Sequence, residues 1–236
     1  MKNLKVWLMI LPLLTIACSE ETSEPISLDN LTYYDTHRLN REASNTSNPF
    51  DIAGEAHNAV LEALNGTYLD SLSIEDVATI IDSISSTKPE LVDFPQNISS
   101  PSWLLQIDWL INEEDPIQEV YNYSSLGFTA QVNLKSFISS ILLESENSFE
   151  EIYATVVHYE DTILNSVLFT TEEKQILLVT TSIIRYSFYY KKRKDKDWET
   201  NVGNIAAAVL GGEDGLILAV KMALAVGICQ SNNIVH

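Results

Sequence analysis

The sequence predicts an all-α protein: a single irregular helical bundle with a Gly/Ala-rich C-terminal helical hairpin. Apolar residues recur three and four positions apart in one segment after another, the spacing that lines one face of a helix. Helix-start signals stand before several of these segments, at Asn48-Pro49, Ser148-Phe149-Glu150-Glu151 and Thr170-Thr171-Glu172-Glu173. Two apolar runs rich in small residues end the chain, divided by Gly211-Gly212-Glu213-Asp214-Gly215.

Asn48 as N-cap, Pro49 at the first position and Asp51 in the first turn open the first helix. Ile52, Ala56, Ala59, Val60, Ala63 and Leu64 form its apolar face, and Gly66 closes it. A second helix runs from Ser73 to Ser86 on a stripe of Ile74, Val77, Ile81 and Ile84, before Pro89. The stretch 87–101 holds three prolines and reads as a connector. Trp103, Ile107, Leu110 and Ile111 mark a shorter helix, ended by Glu113-Glu114-Asp115-Pro116. A longer one spans Phe128 to Glu146, with Leu134, Phe137, Ile138, Ile141 and Leu142 inward.

Ser148 and Glu151 make a capping box for a helix that buries Ile152, Val156, Tyr159, Ile163 and Val167. Thr170 and Glu173 make another, starting a helix that reaches Lys192. Apolar and hydroxyl side chains surround this helix on nearly every side, which places it at the centre of the bundle. From Trp198 onward the sequence predicts a hairpin of two closely packed helices within the core. Ala207 and Ala223 are its candidate close contacts, and Asp214 the cap of its second arm. A membrane-spanning hairpin is the rival reading. Its arms fall short of the roughly 20 apolar residues a span requires, and Lys221 lies within one of them.

The first residues carry a different pattern. Lys2 and Lys5 precede an apolar stretch from Val6 to Ala17, the proportions of a signal peptide. It ends in Leu14-Thr15-Ile16-Ala17-Cys18, which resembles a lipobox, although Thr15 stands where lipoboxes prefer leucine. The alternative is ordinary cleavage after Ala17 with an incidental cysteine. Ser19-Glu20-Glu21 resembles the acidic signal that sends certain lipoproteins to the cell surface. Residues 18–47 are rich in Ser, Thr, Asn and Glu and read as a lipidated flexible tether. The expected organisation is a signal peptide over 1–17, the tether over 18–47 and a helical domain over 48–236.

These features identify the chain as resembling a bacterial lipoprotein, anchored to the outer membrane through lipid on Cys18. The Asn48-Pro49-Phe50-Asp51…Gly54…His57-Asn58 opening, the Glu172-Glu173-Lys174 helix start and the Gly/Ala-rich end make the mature domain similar to uncharacterised helical envelope lipoproteins. That resemblance implies a location and carries no activity with it. In such a setting the Asn-x-Ser/Thr triplets at Asn45, Asn65, Asn97 and Asn122 are chance matches.

Composition narrows the function classes. The net charge is −19, with 33 acidic against 14 basic residues among 236. A surface this acidic repels phosphate backbones, so no nucleic-acid partner is expected. With Cys18 lipidated, Cys229 has no internal disulfide partner and reads as a buried, inert thiol. The four histidines share no ligand spacing with cysteines or acids, so neither a metal nor a cofactor is expected. Gly-x-Ser-x-Gly is absent, and the glycine-rich turn lacks the Lys-Ser/Thr of a phosphate loop.

The candidate ligand-binding residues are Asp51, His57 and Asn58, on one helix start. His57 could bind a ligand or move a proton with these neighbours, or simply sit at the core edge against a backbone carbonyl. His158 reads as a surface ion pair. Lys191-Lys192-Arg193-Lys194-Asp195-Lys196 gathers five basic residues where they complement the negative end of the helix dipole. Three functional readings follow. One is a noncatalytic, surface-exposed envelope lipoprotein that binds a partner or supports the envelope. Another is an envelope enzyme or metal-dependent protein built on His57 and nearby acids. The last is an immunity or toxin-like protein whose C-terminal hairpin engages a membrane.

Overall fold

A computed structural model describes residues 42–69, 72–88, 91, 97–194 and 200–232. The leader, Cys18, Glu20, Glu21 and most of the tether lie outside the described residues. Among those described, every regular element is a helix: α1 (Ile52–Leu64), α2 (Ile74–Ser85), α3 (Pro101–Asn112), α4 (Pro116–Tyr123), α5 (Phe128–Leu143), α6 (Phe149–Asn165), α7 (Thr171–Arg193), α8 (Val202–Gly212) and α9 (Leu216–Ser231). The chain is all-α, as its periodicity predicts.

Two helices form the centre. α7 packs against α1, α6, α8 and α9, and every residue from Ile176 to Tyr190 is buried. α9 is the second axis, touched by α8, α2, α1, α3 and α7, and is buried without a break from Ile217 to Cys229. α4 packs on α8, and α5 lies outside on α6. The predicted capping boxes are present at Ser148 with Glu151 and at Thr170 with Glu173, and a further one joins Ser73 to Asp76. Each satisfies backbone donors that the first helical turn leaves open.

α8 and α9 form the expected hairpin inside the body. A Cβ on Gly211 would come within 2.7 Å of the Ala219 backbone, and one on Gly203 would overlap the Gln230 side chain at the other end. The helices are therefore in near-backbone contact at the Gly211 end, Gln230 packs over Gly203 at the other, and Ala207 and Ala223 between those ends are fully buried. Asp214 does not cap α9; Gly215, at φ 127°, occupies that position with no side-chain cap. Lys221, the charge within this arm, reaches Asp82 of α2 at 3.0 Å. No described helix is long and apolar enough to cross a membrane.

Several details differ from the sequence reading. Val167, expected among the buried residues of α6, lies beyond the end of that helix and is 95% exposed. α1 begins at Ile52, and Asn48 instead closes a turn ahead of it, its side chain accepting from the Phe50 N–H at 2.9 Å. The buried face of α1 is rotated toward Gly54, His57, Asn58 and Leu61, leaving Ile52 and Ala63 exposed. Gly54 is the reason: a Cβ there would overlap the Tyr186 ring, so its absence draws α7 onto that side. α4 is an additional helix, begun by Asp115, which accepts from the Gln118 N–H at 3.1 Å, and by Pro116 at its first position. Residues 42–47 also join the packed body ahead of 48, with Ala43 and Asn45 buried.

Candidate functional site

The three candidate residues lie along the seam between α1 and α7, where polar side chains join what apolar packing usually joins. Ser182 on α7 receives the Gly54 N–H at 3.0 Å and donates its hydroxyl to the Asp51 carbonyl at 2.9 Å. One turn along α1, the Asn58 amide donates to the Tyr186 carbonyl at 2.9 Å. Gly54 permits this approach, and the short polar side chains then complete backbone groups across the interface.

Asp51 faces a buried charge. Arg185 of α7 has no solvent exposure, and its Nη2 lies 2.5 Å from Asp51 Oδ1 and 3.4 Å from Glu160 Oε1 of α6. Burial alone would push the Arg185 guanidinium down, yet the Glu160 and Asp51 carboxylates hold it above its ordinary value. The rings of Tyr186 and Tyr153 stand 5.2 and 5.9 Å from the same guanidinium. Its Nε and Nη1 have no hydrogen-bond partner among the described residues.

Glu160 is held on several sides at once. Asn45 donates to Oε2 at 2.6 Å, and Asn48 and Thr181 donate to Oε1 at 2.8 and 3.1 Å. Asn48 also donates to the Leu178 carbonyl at 3.0 Å. Asp51 in turn accepts from the Ser44 hydroxyl at 2.7 Å and the Asn45 N–H at 3.2 Å. The segment 44–51 is thus fastened to α6 and α7 by a network in which both carboxylates are supplied with donors.

His57 points into the interior. It is buried, its Nδ1 lies 3.2 Å from Asn58 Oδ1, and burial lowers its pKa to about 4 despite that hydrogen bond. The imidazole is neutral at ordinary pH. Asp51, His57 and Asn58 therefore share a helix without converging: Asp51 turns to Arg185 and Asn58 to Tyr186. No group of three metal-binding side chains occurs among the described residues.

The remaining candidates fall into place around this seam. His158 is exposed beside a shallow groove lined by Asn133, Ser136, Thr155 and Tyr159, and has no ion pair among the described residues. The expected surface pair is replaced by these uncharged neighbours. At the end of α7, Lys191 meets Glu146 at 3.6 Å, Lys194 meets Glu62 at 3.6 Å, and Arg193 meets Glu150 and Glu42. The basic cluster thus engages acids of its own domain. Cys229 is buried, and burial pushes its thiol up to about 12.

Sequence reasoning passed over Arg185 and Glu160, although both carry a signal. Glu160 falls on the buried stripe of α6, one turn after Val156 and just before Ile163. Arg185 interrupts a run that is otherwise apolar, aromatic or hydroxyl-bearing. A charge on a core face asks for an opposite charge on the facing helix.

No protein-family model, curated protein or solved structure matches this chain.

Proposed function

We propose that the chain is a surface-exposed, lipid-anchored envelope protein whose helical body acts as a noncatalytic binding or structural module. The address rests on the leader: a positive start, an apolar stretch, Ala17-Cys18 and then Ser19-Glu20-Glu21. Lipid on Cys18 would supply about 0.8 kcal/mol of membrane affinity per buried methylene.

The observation that carries the module reading is the use made of Asp51, His57 and Asn58. Asp51 pairs with Arg185, Asn58 bonds the α7 backbone, and His57 is enclosed as a neutral ring. Side chains with catalytic potential here hold α1, α6 and α7 together. The body is a rigid support, and its outer faces are where recognition takes place.

Expression in a bacterial host with a fatty-acid analogue tests the address. The parent chain is expected to carry the label and to resist carbonate extraction from membranes. Cys18→Ser should lose both properties, and Glu20→Ala with Glu21→Ala should shield the chain from protease added to intact cells. Label retained by Cys18→Ser would overturn the anchor, and unchanged protease sensitivity would overturn the surface signal.

A further inference from the structure

Between α3, α4 and α8 lies a groove of about 400 Å³, lined by Gln106, Trp109, Tyr123 and Leu210. Trp109 and Tyr123 meet edge to face, with centroids 5.8 Å apart and planes at 84°. Tyr123 is 74% exposed, and Leu105, one turn before Trp109 on α3, is 71% exposed. Two aromatics and Leu210 at one open groove, with exposed Leu105 one turn away on α3, form the kind of apolar centre that protein interfaces use.

Charge identifies the occupant. Glu113 stands at the C-terminal end of α3, four positions after Trp109; Glu119 precedes Tyr123 by one turn on α4; and Asp214 lies in the turn after α8, four positions after Leu210. Each element that lines the groove therefore carries an acid within four positions of its apolar lining residue. Asp108, Glu114 and Asp115 lie in the same stretch of chain, and residues 89–134 contain no Lys, Arg or His. None of these acids makes an ion pair among the described residues, whereas Glu42, Glu62, Glu146 and Glu150 are met by the basic end of α7. Among the described residues, the acids near the end of α7 are paired with cations and those near the aromatic groove are not.

We propose that this groove binds a basic peptide segment of a partner protein. A Trp, Phe or Leu side chain enters beside Trp109 and Tyr123, while Lys or Arg side chains meet Glu113, Glu119 and Asp214. This rests on the reading of the body as a binding module and adds the chemistry of what it binds. An anionic membrane surface is the wrong sign for the same rim.

The test is panning of the immobilised full-length chain against a displayed library of random peptides. Recovered peptides are expected to be rich in Lys and Arg around an aromatic or leucine anchor. Their affinity should fall about tenfold or more for Tyr123→Ser and Leu105→Ser, the loss typical of an interface anchor. Both positions are exposed, so neither change threatens folding. Glu113→Gln with Glu119→Gln should weaken binding and flatten its salt dependence. Neutral or acidic peptides, no enrichment over the bare support, or basic peptides that ignore Tyr123→Ser would overturn the proposal. So would binding to phosphatidylcholine vesicles that depends on Tyr123 in place of peptide binding. A chain that is lipidated and displayed yet recovers no such peptide keeps its address and loses this site.

Discussion

Glu160 of α6 and Arg185 of α7 face each other at 3.4 Å, and neither side chain is exposed to solvent. Two carboxylates, Glu160 and Asp51, share one guanidinium, so the cluster holds an excess negative charge. Asp51, the member with some solvent exposure, carries part of that charge toward water, and Glu160 disperses its own over amides and a hydroxyl. Buried ion pairs often contribute little net stability, because desolvation offsets attraction. They do specify an arrangement. Here the pairing joins residues 44–51, α6 and α7 in one arrangement.

Removing the guanidinium alone should therefore cost more than removing it together with one of its carboxylates. Arg185→Leu strands Glu160 and Asp51 and is expected to lose about 3–5 kcal/mol, the usual cost of an uncompensated buried charge. Glu160→Gln keeps the shape and an acceptor, so it should lose less. Combining it with Arg185→Leu should recover part of the first loss. Urea unfolding of the four chains closes a double-mutant cycle. Strict additivity would show that the two residues do not depend on one another.

His57 supplies a pH dependence whose sign follows from burial. Its folded pKa lies near 4 and its unfolded value near 6.5. Between those values the unfolded chain binds the additional proton, so stability falls as pH drops from about 6.5 to about 4, then levels off for this residue. The whole effect is on the order of 3 kcal/mol. Unfolding free energy measured across that window should slope less steeply in His57→Gln than in the parent. An imidazole NMR signal for His57 that titrates near 6.5 would refute the buried, neutral ring.

The helices were legible because each has a local cause. Ser148, Thr170 and the run around Ile183 announce starts and burial within a few residues, and the structure keeps all three. The polar seam was less legible because its causes are distant in sequence. Asn45 reads as part of a solvated tether until Glu160 is beside it, and the partners are 115 residues apart. The face of α1 is hard to read for a related reason. Ile52 outranks Gly54 on hydrophobicity, but close approach of α7 rewards the smaller residue. α4 is faint in the sequence although Asp115-Pro116 is an N-cap followed by a first-turn proline, because the helix is only eight residues long.

Two neighbouring glycines give the most discriminating test of the hairpin. Gly211 and Gly212 both end α8, and alanine favours a helix over glycine by about 0.8–1.0 kcal/mol in a helix interior. Propensity alone would make both changes stabilising. Their surroundings differ: a Cβ on Gly211 would lie 2.7 Å from backbone atoms of Leu218 and Ala219, whereas one on Gly212 would meet Ile176 at 3.6 Å, ordinary contact. Backbone cannot step aside as a side chain can, so Gly211→Ala must push α8 and α9 apart. The expected loss is about 1–3 kcal/mol, the range for an overpacked core. Gly212→Ala is expected to be neutral or slightly stabilising. Thermal melts of the two variants should therefore move in opposite directions from the parent or differ by several degrees. Equal melting temperatures would mean that the arms do not touch at Gly211. The near-backbone contact that seats α9 in the core would then be wrong.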